Sequence, residues 1–457
     1  MTKASKAIFF LSCSSLILFT LAYGTVHQPT ISLYYFFVTL MVLLWASNCF
    51  LTGEINLSRH SLQFPVYIAF IYALIQIIPF GTLAETAGVT GIPRTISQSP
   101  FDTEMTAFHL LSLGLFLSVN LAIVDSAARI RKLVGVITVF GFLFAFFAIL
   151  QSFLSPNKIY GIYERIGAAP FGSFVSRNNF AAFMEMSIAL PLGLLLSGSI
   201  ERDKRLIYIT AISLMGVALI LSGSRGGLVA MVAGVVFLLF ITTRASGTKK
   251  IAFRIAMGLL LIGVVIGGAF YIGGESSLTR IADSGPSTEA TMDRTHIWGT
   301  TLRVIGANFP LGAGIGAFAQ AYTQFDQFSG LERVEQAHND YLQVAADAGL
   351  VGIVIASFFL FALGRTVKRN IARENTFRRG VAVGAAGGIF AVLTHSIFDF
   401  VLHTTAISLL FIILMVLLVA AGRSFEDDVP NEDERGHHRR RTKGSVMPFS
   451  RQSRASR

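Results

Sequence analysis

Gln336-Ala337-His338-Asn339-Asp340-Tyr341-Leu342 marks where a long polar stretch of the chain turns back into apolar sequence, and its two sides decide the fold. Upstream, from Gly274 to His338, runs the only long polar interval between hydrophobic spans. It carries Met292-Asp293-Arg294-Thr295-His296-Ile297-Trp298 and the turn-rich Phe309-Pro310-Leu311-Gly312-Ala313-Gly314-Ile315-Gly316. Downstream of it, and everywhere before Gly274, apolar runs of about 20 residues recur, the length a helix needs to cross a bilayer.

Composition agrees. Of 457 residues 53% are hydrophobic and only 14% charged, more apolar surface than one soluble core can bury. Backbone groups in lipid must be satisfied internally, and the alternating pattern of a barrel strand is absent, so the chain is expected to be an all-α integral membrane protein. About 12 transmembrane helices are expected, over 1–23, 31–51, 62–80, 103–124, 133–154, 178–197, 206–222, 226–243, 251–273, 339–364, 380–398 and 402–422. The organisation follows: nine helices over 1–273, one large loop over 274–338, three helices over 339–422, and a charged tail over 423–457. Ala22-Tyr23-Gly24 is a poor cleavage site, so the first run reads as a helix rather than a signal peptide. Cys13 and Cys49 both fall in hydrophobic runs and form neither a disulfide framework nor a metal cluster. No repeat of 20–50 residues is evident.

The net charge of +11 is scattered between spans, which reports topology rather than nucleic-acid binding. The N-terminus and alternate connections carry 19 of the 37 Lys and Arg residues; the other connections, counting the long loop, carry nine and the tail nine. Positive residues favour the cytoplasmic side. Both termini are therefore expected in the cytoplasm, and the 274–338 loop on the far side. The tail joins an acidic block, Glu426 to Glu434, to a basic one, Arg435 to Arg457. It has nothing to form a core and is expected to be disordered.

Basic residues kept at the non-cytoplasmic face are the first candidates for function. Arg225 lies in Ser222-Gly223-Ser224-Arg225-Gly226-Gly227, a tight turn between two spans, and Arg177 opens another in Ser176-Arg177-Asn178-Asn179-Phe180. With Arg294 they make three guanidinium forks at headgroup level, a set suited to a diphosphate. His338 delivers an imidazole to the mouth of the frame, the side chain best fitted to take a proton near neutral pH. Thr288 to Ile305 has near-helical apolar spacing and is expected to lie as an amphipathic helix on the outer leaflet. Gly312-x-Gly314-x-Gly316 lacks a preceding strand and reads as a flexible turn between short helices, not a dinucleotide loop. His395, Asp399 and His403 recur every four residues across an expected turn, a pattern of hydrogen bonding more than of metal ligation. Glu185, inside a span, is a candidate cavity wall.

In this order and on this topology, the segments around Arg177, Arg225, Arg294-x-x-Ile297-Trp298, Pro310-Leu311-Gly312-Ala313-Gly314 and Ala337-His338-Asn339-Asp340-Tyr341-Leu342 resemble the O-antigen ligase/polymerase superfamily of bacterial envelope glycosyltransferases. The resemblance implies an inner-membrane enzyme that moves a glycan from undecaprenyl diphosphate to an acceptor hydroxyl at the periplasmic face, with inversion and without a metal or other cofactor. The acceptor would be lipid A-core, a second lipid-linked glycan, or a protein. Expected catalytic residues are His338, Arg225 and Arg294; expected substrate-binding residues are Arg177, Asn178, Arg303, Asn339 and Tyr341. The competing class is a transporter or flippase, which favours paired repeats and mid-membrane charge.

Overall fold

The computed structural model describes residues 2–242 and 294–423, apart from 84–87, 157, 165–168 and 328–332, with scattered positions between 252 and 267. Among the described residues the fold is helical, with only isolated β-bridges. The helices are α1 (Lys3–Leu21), α2 (Gln28–Thr52), α3 (Phe64–Gln76), α4 (Pro100–Ile123), α5 (Ala127–Leu154), α6 (Arg177–Leu196), α7 (Arg205–Leu221) and α8 (Arg225–Thr242). Then come α9 (Arg294–Asn308), α10 (Phe318–Thr323), α11 (Asp340–Asn370), α12 (Thr376–His395) and α13 (Thr405–Ala421).

Nine described helices are long and apolar enough to cross a membrane: α1, α2, α4 to α8, α11 and α12. Two expected spans come out shorter. α3 has 13 residues and α13 has 17, about 20 and 26 Å at 1.5 Å per residue. Every residue of α13 is buried, so this helix is enclosed by protein along its length. The expected span over 251–273, the first part of the long loop (274–293) and the tail beyond Arg423 lie largely or wholly outside the described residues.

Local chemistry sets the boundaries. Ser126, Ser176, Asn339 and Asn375 cap their helices by accepting from a backbone N–H of the first turn. Proline opens α2, α3 and α4 in the first turn, where its missing N–H costs nothing. α6 and α12 are packed hard together. A side chain on Gly193 would begin 2.3 Å from the Gly384 Cα, so the backbones meet without side chains between them. Without a hydrophobic drive between helices in lipid, such close van der Waals approach is what holds neighbours together.

Among the described residues, connections expected to be basic meet at one end. The Arg423 guanidinium donates to the carbonyls of Leu121 (2.7 Å) and Val124 (3.2 Å), and to Ser58 Oγ (3.2 Å). Arg129 donates to Asp125 (3.0 Å) and to Ser5 Oγ (2.6 Å) close by. Arg373 and Arg378 bond the carbonyls of Gly422 and Arg423. The root of the tail is thus tied into the bundle. At the opposite end sit Arg177, Arg225, Arg294 and His338.

Candidate active site at the end of the bundle

The long loop is not a loose strap. α9 carries the amphipathic stripe expected of Thr288 to Ile305, beginning at Arg294; residues 288–293 are outside the described residues. Part of its apolar face packs on protein. Ile297 and Val304 are buried with Phe318 and Tyr322 of α10 and Ala346 of α11, in a small core of their own. That packing fixes the helix that bears Arg294, while Leu302 of the stripe stays exposed.

The glycine turn does the rest, and it is not flexible. α11 breaks at Gly349 (φ 58°, ψ −140°), a backbone region reserved for glycine. The break exposes carbonyls, and the turn supplies donors. Ala313 N–H donates to Ala346 O (2.8 Å), Gly314 N–H to Asp347 O (3.0 Å), and Leu350 N–H to Pro310 O (2.8 Å). A side chain on Gly349 would begin 2.2 Å from Pro310 O, and one on Gly312 2.4 Å from Asp347 O. Gln76 of α3 completes the lock, donating to Leu311 O and Asp347 O and accepting from Ile315 N–H.

Held this way, the ends of the loop converge on one carboxylate. Asp399, in the connection between α12 and α13, accepts from His338 Nδ1 through Oδ1 (3.0 Å) and from the Arg294 guanidinium through Oδ2 (3.3 Å). Asn178 of α6 donates to the same Oδ2. The amide oxygen of Asn178 in turn accepts from Ser224 Oγ (2.8 Å), the residue just before Arg225. Arg177 lies against the Gly223 turn, its guanidinium 3.5 Å from where a side chain on that glycine would begin. Arg177 and Arg225 are both exposed.

Burial alone would push the Asp399 carboxyl up. The hydrogen bond and charge of His338, with the charges of Arg294 and His395, outweigh it and hold the group well below the usual carboxylate range. An ionised Asp399 accepting from Nδ1 selects the tautomer of the neutral His338 ring: in that form the proton sits on Nδ1 and Nε2 carries the lone pair. His338 itself adopts φ 49°, an unusual conformation for a residue with a side chain, and its ring stands edge-on to Phe400 at 4.7 Å. Its side chain is 23% exposed, so the imidazole reaches open space. The assembly offers one oriented base beside three guanidinium groups.

Other expected residues land elsewhere. Arg303 follows Arg294 by about two and a half helical turns, so it faces away and donates to Phe325 O (3.2 Å). Asn339 caps α11 and donates to Ile397 O (2.9 Å), which fastens the start of that helix. Tyr341 OH donates to Leu393 O (2.8 Å). His395, Asp399 and His403 do not share a face. α12 ends at His395, and the three side chains bond to Glu185, to the His338–Arg294 cluster, and to Asp340 respectively. Glu185 is fully buried against His395 (3.3 Å). Reading the sequence missed Asp399 as the hub; its signal was a carboxylate at the start of the short connection between the last two spans, one helical turn from His395.

A bundle of apolar helices with an imidazole–carboxylate pair among arginines at one end defines a multi-pass membrane protein with a polar site at the mouth of its frame. Residues 210–357 match the family described as O-antigen ligase, which places that stretch, from α7 into α11, in the O-antigen ligase superfamily. It takes in Arg225, Arg294 and His338 and stops short of Asp399. No curated protein matches the chain significantly. The match supports a glycosyltransferase- or ligase-type enzyme, with a lipid-linked glycan and an acceptor as substrates.

Proposed function

We propose that the protein transfers a glycan from undecaprenyl diphosphate to an acceptor hydroxyl at the periplasmic face of the inner membrane, as an O-antigen ligase or polysaccharide polymerase. The observation that carries the reading is Asp399 bridging His338 and Arg294 beside Arg225 and Arg177. His338 Nε2 takes the proton of the acceptor hydroxyl as its oxygen attacks the anomeric carbon, and the bond to the diphosphate breaks with inversion. Negative charge grows on the leaving diphosphate, and guanidinium forks aimed there stabilise it more in the transition state than before it. Protein glycosylation by the same chemistry is the alternative acceptor choice. A transporter or flippase is the alternative class, and the convergence of loop and helix ends on one carboxylate favours chemistry over it.

The test is transfer in vitro by the purified chain, with an undecaprenyl-diphosphate-linked glycan as donor and lipid A-core, a second lipid-linked glycan or a protein as acceptor. Arg225→Ala and Arg294→Ala are each expected to cost ~100-fold or more, with poor rescue by Lys, whose point charge does not reproduce a fork. Guanidinium groups supply the positive charge, so activity should persist in EDTA. Loss in EDTA with recovery on adding Mg²⁺ would replace this mechanism with a metal-assisted one. Product from none of the acceptors would sink the proposed function.

A further inference from the structure

A fully buried ionisable pair, Glu185 with His395, has no part in the proposed reaction. Glu185 Oε1 of α6 and His395 Nδ1 of α12 lie 3.3 Å apart. Glu185 Oε2 and His395 Nε2 are buried too, with no hydrogen-bond partner. Such a pair costs more than apolar side chains of the same size. Ionisable groups kept between membrane-spanning helices at that cost point to a task.

The imidazole meets the turn that bears Arg225. A side chain on Gly226 would begin 3.0 Å from His395 Nε2. One on Gly227 would begin 3.4 Å from His395 Cε1 and 2.4 Å from Ala181 Cβ of α6. The first turn of α8 therefore rests on the edge of the imidazole and on α6, with no room for side chains between. Arg225 precedes these two glycines and is exposed. The second torsion of a histidine is broad by itself, so the contact with Glu185 is what gives the ring one angle against the turn. The same elements reach Asp399. Asn178, Ala181 and Glu185 follow one face of α6 at helical spacing, and Asn178 donates to Asp399. The His395 carbonyl accepts from the N–H groups of Phe398 (2.8 Å) and Asp399 (3.1 Å).

We propose that His395, oriented by Glu185, is a positioning residue for Arg225, setting where its guanidinium stands relative to the Asp399–His338 pair and so where the donor's diphosphate is held. This rests on the proposed function and deepens it. The enclosed imidazole itself moves no proton in the reaction.

Binding of undecaprenyl diphosphate to the full chain in lipid nanodiscs tests the proposal without an acceptor or turnover. Arg225→Ala should raise the Kd about tenfold or more, the loss of a charged hydrogen bond. His395→Gln should raise it about fivefold, and less than about twofold further when added to Arg225→Ala, because His395 acts through Arg225. Fold-changes that multiply in the double variant overturn the proposal, as does wild-type affinity in His395→Gln. Gly226→Ala probes the same contact with the imidazole in place. Alanine suits a helix, but its methyl presses on Nε2, so the Kd should rise about fivefold here too, and not in the Arg225→Ala background. An unchanged Kd in Gly226→Ala overturns the proposal even where His395→Gln does not fold. In the transfer assay both single variants should raise the donor KM and leave the acceptor KM as it was; a rise in both would make the pair a general support of the fold and overturn its role. Binding by the wild-type chain without transfer would leave the positioning role standing and remove the reaction, and no binding at all would remove both.

Discussion

Asp399 decides what the site can do at the scale of one residue. Asn in its place keeps the shape but removes the charge and one acceptor oxygen, so His338 is free to place its proton on either nitrogen. Asp399→Asn is expected to lower turnover by ~100- to 10,000-fold, with donor affinity within a few-fold; loss of donor binding in place of turnover would move Asp399 among the diphosphate ligands. His338→Gln keeps a polar side chain without a basic nitrogen. It should lose a comparable factor, and near-normal turnover would reduce His338 to a positioning group. The depressed Asp399 carboxyl also has a consequence for stability. A carboxylate held below its unfolded value, near ~4, stabilises the fold above that pH, and the contribution is lost as pH falls through the folded value. In a Trp45→Phe background, leaving Trp298 of α9 as the sole indole, acid titration should shift the fluorescence below about pH 4. The shift should be weaker with Asn at 399. An identical titration in both proteins would show that Asp399 does not hold α9 in place.

At the scale of elements, the dock between the glycine turn and the break in α11 holds the loop. The two parts need each other, since the break leaves carbonyls without helical partners and the turn holds N–H groups that no strand or helix would satisfy. Gly349→Ala places a methyl 2.2 Å from Pro310 O in a backbone region that alanine resists. The expected cost is about 1–3 kcal/mol, read as a fall in the thermal midpoint together with lost transfer, because Arg294 and His338 lie on either side of the dock. Gly364→Ala, in the same helix with open space around it, is the control and should change neither. An unshifted midpoint in Gly349→Ala would mean that the dock is not what holds the loop.

At the scale of the whole molecule, the charge alternation and the geometry make a joint prediction about sidedness. Among the described residues, basic connections that the sequence groups together meet at the end held by Arg129, Arg373 and Arg423. If that end is cytoplasmic, Thr323→Cys on the exposed side of α10 should label with a membrane-impermeant maleimide from outside the inner membrane, and Asp203→Cys only after that membrane is opened. The experiment is done with Cys13 and Cys49 replaced by Ser. The reverse labelling would invert the topology and place the arginines where no periplasmic donor could reach them.

The sequence by itself determined the helical class, because runs of apolar residues in lipid have only one way to satisfy their backbone. It also marked Arg177, Arg225, Arg294 and His338, because each interrupts an otherwise apolar or weakly charged face, and such an interruption is visible along one dimension. It did not single out Asp399, whose partners lie 61 residues away at His338 and 105 away at Arg294, nor the pairing of His403 with Asp340 across 63 residues. It did not show that Arg303, Asn339 and Tyr341, expected at the substrate, each donate to a backbone carbonyl of the protein. Local spacing says which residues are polar near the site, but only packing says which way they turn. α9 turns Arg303 away because its buried stripe faces α10 and α11. Asn339 is consumed by its own helix, and Tyr341 by a carbonyl of α12. Periodicity is a property of neighbours along the chain, and a hydrogen bond between distant residues is decided only when the helices that carry them come together.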